Sequence, residues 1–211
     1  MSAYIITVEK PQYNIDNAQE ILLKCSRLLT THLTPERMLH SMGVVITGLE
    51  LMGSSRKDDV RICLAALLHD IGRPMLPDEL RTKIHQYGGQ IPEEDESFPQ
   101  LWHGIYASLI LQHELAIKDA ELSNAILWHS TAEADMTMLQ KIIFLADYIE
   151  PTRDFPGIDT LRLLAYNNLD KALSQAIEMK YTYLLNTGIK VHQRLIRAYQ
   201  WYVKKRTHNE K

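Results

Sequence analysis

The 211-residue sequence predicts an all-α fold, a bundle of helices. Three observations predict it. Apolar residues recur at helical spacing along most of the chain, as in Ile21, Leu22, Cys25, Leu28 and Leu29. Helix-start signals recur as well: Thr34-Pro35-Glu36 reads as N-cap, first helical residue and acidic first turn, and Asp119 and Thr137 are further N-caps. No β-hairpin signal, βαβ pattern or internal repeat accompanies them.

Residues 1–20 show no clear period and read as an N-terminal extension. The domain is expected over 21–206, with a frayed tail at 207–211. The first helix carries the Ile21–Leu29 pattern. The second runs from Pro35 to about Met52, where Gly53 follows, and Arg37 and His40 share one of its faces because they are three residues apart. The third, from Asp58 to Leu68, is apolar on most sides through Val60, Ile62, Cys63, Leu64, Ala65, Ala66, Leu67 and Leu68, which is the mark of a core helix. Gly72 is expected to stop it. A short helix over Pro77–Tyr87 ends at Gly88-Gly89. Residues 88–99 form the best loop candidate, and their acidic run reads as a solvated face. Helices follow at about 100–115, 120–129, 137–150, 159–186 with a break near Asn167-Asn168, and 191–205. Pro151 stops the third of these.

A hydrophobic content of 45% and a charged content of 23% suit a soluble globular domain. The formal net charge of -3 argues against nucleic acid as a principal partner while leaving room for a local basic pocket. No apolar run is long enough to span a membrane. Cys25 and Cys63 both fall in apolar helical patterns, so neither a disulfide framework nor a thiol pair is expected. With no secretory signal evident, the expected location is the cytoplasm.

The most informative pair is His69-Asp70, at the end of the third helix. An imidazole and a carboxylate at a buried helix end need partners, because an unpaired buried carboxylate is very unfavourable. A metal ion satisfies both. Further candidate ligands, His40, His103, His129 and Asp147, each lie in or beside an apolar helix-like stretch. Imidazole and carboxylate suit a divalent ion such as zinc, iron or manganese, and six such groups allow one ion with outer support or two ions. Asp70 is placed to bridge ions or to act as a base toward water. Arg73 directly follows His69-Asp70-Ile71-Gly72 and is a phosphate candidate close to the cavity mouth. Arg153 is either a guanidinium fork for phosphate or a surface partner of Asp154 or Glu150.

The order His40, His69-Asp70, Asp147 resembles the signature of HD-domain metal phosphohydrolases. Residues 141–157, Lys-Ile-Ile-Phe-Leu-Ala-Asp-Tyr-Ile-Glu-Pro-Thr-Arg-Asp-Phe-Pro-Gly, are similar to the most characteristic segment of the YqeK-like symmetrical bis(5'-nucleosyl)-tetraphosphatases. So are Trp-His-Gly-Ile-Tyr-Ala at 102–107 and Ala-Ile-Leu-Trp-His-Ser-Thr at 125–131. The resemblance covers roughly residues 34–195. It implies a helical HD fold in which His40, His69, Asp70 and Asp147 hold a catalytic metal, with iron as the expected ion and one or two ions bound. It also implies that His103 and His129 line the same cavity, on a second metal or on substrate phosphate, and that Arg73, Arg153 and His192 contribute to substrate binding. The implied reaction is symmetric hydrolysis of diadenosine tetraphosphate into two ADP by a small-molecule enzyme compatible with a homodimer. Two alternatives stay open: an HD phosphohydrolase acting on a nucleoside monophosphate or guanosine alarmone, and a nucleotide-sensing module. The chain departs from the family's usual pattern at Ile105, at Ala-Glu-Ala-Asp-Met over 132–136, and at Lys-Val-His-Gln over 190–193.

Overall fold

The computed structural model describes residues 15–53 and 58–204, with side chains from residue 19 onward. The expected tail at 207–211 and the first fourteen residues of the expected extension lie outside the described residues. Among the described residues the regular elements are all helical. They are α1 (Ile15–His32), α2 (Pro35–Met52), α3 (Asp59–Leu68), α4 (Pro77–Gln86), α5 (Trp102–His113), α6 (Ala120–Trp128), α7 (Met138–Ile149), α8 (Ile158–Asn167), α9 (Leu169–Asn186) and α10 (Gln193–Tyr199), with a π-helical turn at Gln200–Lys204. The all-α expectation holds. α1 begins six residues before Ile21, inside the stretch expected to precede the domain.

The caps explain the boundaries. Thr34 accepts a hydrogen bond from the Arg37 N–H at the head of α2. Asp119 does the same for α6 through Leu122. Thr137 and Gln140 form a reciprocal capping box on α7, satisfying two of the amides that every helix start leaves unpaired. The expected break near Asn167-Asn168 is real: Asn168 turns extended and its side chain accepts from Lys171 N–H, closing α8 and starting α9.

Helix α7 organises the bundle because it is apolar all round. Leu139, Ile142, Ile143 and Ala146 pack into a core shared with α1–α6. Phe144, Leu145 and Ile149 pack the other way, onto α8, α9 and α10. A helix buried on both sides this way is held by both layers, and its last turn, carrying Asp147, is fixed between them.

Two expectations need correction. Gly72 does not stop α3 through a left-handed backbone. A Cβ there would come within 2.9 Å of Tyr106 and 3.2 Å of the His103 Cα, so the glycine permits close approach of α5 to the His69-Asp70 turn. The acidic run is a solvated face only in part: Glu93, Glu94 and Glu96 are exposed, but Asp95 is buried. Asp95 is 1% exposed, pairs with Arg194 and lies 3.0 Å from the His192 ring. Glu94 pairs with Arg194 and Arg197, and Glu96 with Arg81. The loop is therefore clamped between α4 and α10.

Candidate active site

Five elements deliver side chains to one place. His40 comes from the middle of α2, His69-Asp70 from the turn ending α3, and His103 from the first turn of α5. His129 ends α6, and Asp147 stands in the last turn of α7. All six are nearly inaccessible, from 0% exposed for His69 to 8% for Asp147. The two helix-ending histidines share a local device. Each ring folds back so that Nδ1 meets the carbonyl three residues earlier: His69 to Ala66 O at 2.7 Å and His129 to Ile126 O at 2.6 Å.

That device decides which ring nitrogen holds the proton. A carbonyl oxygen only accepts, so Nδ1 donates and Nε2 presents a lone pair. His40 reaches the same state by another route, with Nδ1 3.0 Å from the Glu150 carboxylate. The consequence is an arrangement of acceptors. His40 Nε2 lies 3.1 Å from His69 Nε2 and 3.1 Å from Asp147 Oδ1. With His40 neutral in this tautomer, three electron-pair donors converge there; without a cation, His40 takes a second proton and donates it from Nε2 to Asp147. A cation resolves the repulsion. The two groups whose ligand atoms lie within 4.8 Å of one another are His40, His69, Asp147 and His69, Asp70, His129.

Asp70 joins the two groups. Its Oδ2 faces His40 at 3.8 Å and His69 at 3.7 Å, while its Oδ1 faces His103 at 3.3 Å and His129 at 3.8 Å. One imidazole nitrogen binds one ion at a time, so His69 cannot serve both groups, whereas a carboxylate with oxygens facing opposite sides can. The residues present fit a divalent cation by donor type, by tautomer and by convergence.

The electrostatics agree. Burial opposes ionisation of Asp70, but His69, His103 and His129 outweigh it and hold the carboxyl well below its usual range. Burial likewise opposes ionisation of Asp147, and the His40 hydrogen bond with nearby His69 and Arg153 holds it down too. Burial lowers His103 far below 6.5 and His129 to about 4, so both rings are neutral near pH 7. His40 differs. Burial pushes it down, but its bonds to Asp147 and Glu150 raise it, so positive charge is favoured at the spot where the three donors meet.

A cavity of about 1100 Å³ opens onto Asp70, His129 and Asp147. Its cations are Arg37, Arg73, Arg153 and Lys180, and its apolar wall includes Tyr148, Phe155, Met179 and Leu184. Arg73 lies at the mouth as expected, 3.2 Å from Gln100 O and 3.4 Å from the His103 ring. Arg153 turns to Asp147 rather than to Asp154: its Nη2 meets Asp147 Oδ1 at 2.5 Å and its Nε donates to Asp147 O at 2.8 Å, and the expected pairing with Glu150 is present as well, at 3.6 Å. His192 is not brought to the cluster. It caps α10, accepting from Arg194 N–H at 3.1 Å, and packs against Phe98 and Asp95. The departure at Lys-Val-His-Gln is where the family likeness weakens, and the local cap takes the ring.

Sequence reasoning missed four residues. Arg37 was seen only as a neighbour of His40, yet it donates to Asp70 Oδ2 at 2.7 Å. Glu150 was weighed only as an Arg153 partner. It is 0% exposed and also takes bonds from Thr152 N–H at 2.7 Å and Thr152 Oγ1 at 2.5 Å. Gly43 was not considered, and a Cβ there would stand 2.6 Å from Glu150 Oε2, so the glycine makes room for that carboxylate. Lys180 carried no local signal at all.

The comparisons with known proteins agree with this geometry. The HD domain model matches residues 37–152. The symmetrical bis(5'-nucleosyl)-tetraphosphatase of Bacillus subtilis is 32% identical over 187 residues, covering 89% of this chain and 98% of the relative. The protein of the same name from Staphylococcus aureus is 32% identical and covers 85% and 93%. Among solved structures, a predicted HD superfamily hydrolase involved in NAD metabolism from Clostridium acetobutylicum superposes with a TM-score of 0.80 at 30% identity, covering 87% of this chain and 97% of that one. The chain belongs to the HD-domain family, within the group that includes the symmetrical bis(5'-nucleosyl)-tetraphosphatases.

Proposed function

We propose that this protein is a metal-dependent hydrolase that cleaves diadenosine tetraphosphate symmetrically into two ADP. The observation that carries the reading is the position of Asp70, whose two oxygens face two separate histidine pairs at the floor of a cation-lined cavity. The likeness to curated tetraphosphatases over nearly their whole length supports the choice of substrate.

Hydrolysis adds water to one phosphorus and breaks the central P–O–P bridge, so each half leaves as ADP. A divalent ion bound by His40, His69, Asp70 and Asp147 supplies Lewis-acid polarisation of a phosphoryl oxygen and makes water more acidic. The chain's own residues do the rest. Asp70 and Asp147 stay ionised across the physiological range and act as ligands. A carboxyl held so low is a weak base, which favours the ligand role for Asp70 over the base role. His129 directs a lone pair, not an N–H, toward the cluster, so it suits a second ion or a proton in transit better than a phosphate oxygen. Arg73 and Arg153 neutralise the phosphate oxygens, and Arg37 holds Asp70 in orientation.

Iron as the ion, the cytoplasm as compartment and a homodimer as assembly complete the proposal, read respectively by metal analysis, fractionation and sedimentation. Among the described residues no helix is long and apolar enough to cross a membrane. The deciding experiment is chromatography of products from diadenosine tetraphosphate with metal-loaded protein. Two ADP, without ATP or AMP, is the expected result. ATP plus AMP, or no turnover with metal bound, refutes it.

A further inference from the structure

The four cations of the cavity are not equivalent. Arg37 is bound to Asp70, Arg153 to Asp147, and Arg73 to a backbone carbonyl. Lys180, in the middle of α9, has neither an ion pair nor a hydrogen bond among the described residues. Its ammonium stands 5.7 Å from the Phe144 ring centroid and 5.6 Å from that of Tyr148. These two rings stack in parallel, 6.1 Å apart, on one face of α7. They hold the ammonium over an aromatic floor and give it no anion.

The ammonium is half-buried at the cavity wall, where it has no anionic partner among the described residues. Burial lowers the lysine to about 8, with Asp147 favouring the charge and Arg153 and Arg73 opposing it. The chain places the group in the wall of the cavity that opens on Asp70 and Asp147, beside the apolar patch of Phe155, Met179 and Leu184. It makes no ion pair with Asp147 or Asp70 among the described residues, although the Asp147 charge acts on it through space. An anion arriving in this cavity therefore meets bound arginines near the cluster and one uncommitted cation next to the apolar wall.

We propose that Lys180 is the anchor for the phosphate groups on the nucleoside side of the cleaved bond, and that it selects nucleoside diphosphate units over shorter phosphate esters. This rests on the hydrolase reading above and goes beyond it by assigning a residue that the local sequence does not mark. The ammonium is a point charge on a flexible stem, which suits a phosphate whose position shifts between substrate and product.

The test separates this inference from the reading it rests on. Metal-loaded wild type, Lys180→Met and Lys180→Arg are compared with diadenosine tetraphosphate as substrate and with ADP and AMP as calorimetric ligands. Methionine keeps most of the stem and its packing on the rings. The expected result for Lys180→Met is a KM and an ADP Kd raised about ten-fold or more, with kcat within about two-fold and metal content and melting unchanged. AMP binding changes less than ADP binding, and Lys180→Arg recovers most of the loss. An ADP Kd within two-fold of wild type overturns the inference. So does equal weakening of ADP and AMP, or a fall in melting temperature and kcat together, since those mark a structural role on the rings. Failure of the wild type to cleave diadenosine tetraphosphate refutes the hydrolase reading alone, and ADP binding then still decides Lys180. Absence of ADP binding by the wild type overturns both.

Discussion

Replacing Glu150 with glutamine tests whether the tautomer of His40 sets the affinity of the metal cluster. The carboxylate is fully buried and accepts from three donors: His40 Nδ1 at 3.0 Å, Thr152 N–H at 2.7 Å and Thr152 Oγ1 at 2.5 Å. Glutamine has the same shape but turns one end into a donor. If its oxygen faces the fixed Thr152 N–H, its NH2 faces His40, and the ring must present a lone pair at Nδ1. The proton then moves to Nε2 and points at Asp147 Oδ1, 3.1 Å away, where a metal ligand's lone pair is required. If the amide is turned the other way, two donors collide at the Thr152 amide, which costs about 1–3 kcal/mol. The first arrangement keeps the Thr152 N–H and His40 bonds and asks only the exposed Thr152 hydroxyl to turn and accept from the NH2, so it is preferred in the metal-free protein. Glu150→Gln should therefore melt close to wild type without metal yet bind metal about 10- to 100-fold more weakly, as loss of outer partners of ligating histidines generally does. That corresponds to about 1.4–2.8 kcal/mol. Titration of metal-free protein against a competing chelator measures the affinity, and calorimetric melting measures the fold. Metal affinity within two-fold of wild type would refute the argument, because it would mean that the ring nitrogen facing the cluster does not depend on Glu150.

Four further outcomes follow from the same geometry. Arg153→Lys loses the two-point hold on Asp147 and should lower kcat/KM about ten- to a hundred-fold, whereas Asp154→Asn, at an exposed residue with no ion pair among the described residues, should leave it unchanged. Equal effects of the two substitutions would remove Arg153 from the site. ADP affinity of the wild type should fall as pH rises through about 8, because a lysine with a lowered pKa loses its charge there; the groups around it are Asp147 and Tyr148 on α7, Arg153, Arg73, and Glu178 on its own helix. In Lys180→Arg the same profile should stay flat to pH 9. Asp95→Ala leaves the buried Arg194 with the Glu94 carboxylate alone and should destabilise by about 1.5–3 kcal/mol, read by denaturant unfolding, with metal binding intact. Ala116 is exposed with φ 55, a left-handed conformation that disfavours any Cβ, so Ala116→Gly should raise the melting temperature by about 1–3 °C despite glycine's unfolded-state entropy.

What was legible in the sequence and what was not divides by range along the chain. The helices, their caps and the break at Asn168 depend on neighbours within four residues, and the residues that specify them stand side by side. His69 and His129 belong to this class too: each closes an apolar helix and turns its own Nδ1 to a carbonyl three residues back, so its metal-facing nitrogen is prepared before any tertiary contact forms. The acidic loop was misread because what decides it is remote. Asp95 meets Arg194 across 99 residues, and nothing near Asp95 distinguishes it from the solvated glutamates beside it. Glu150 meets His40 across 110 residues, and the space for it exists because position 43, on another helix, has no Cβ. His192 erred in the opposite direction, since a local hydrogen bond to Arg194 N–H claimed a ring expected at the cavity. Lys180 is the extreme case. One face of α9 is buried against α7, and only that docking brings an ordinary helical lysine over Phe144 and Tyr148. The ligand cluster is thus prepared locally and completed by packing, whereas the cations that receive the substrate depend on packing throughout. Substitutions in the buried faces of α9, such as Ile177→Ala, should accordingly disturb nucleotide affinity before they disturb metal affinity, and paired titrations of ADP and metal on that variant would expose the reverse order if the two halves of the site were built together.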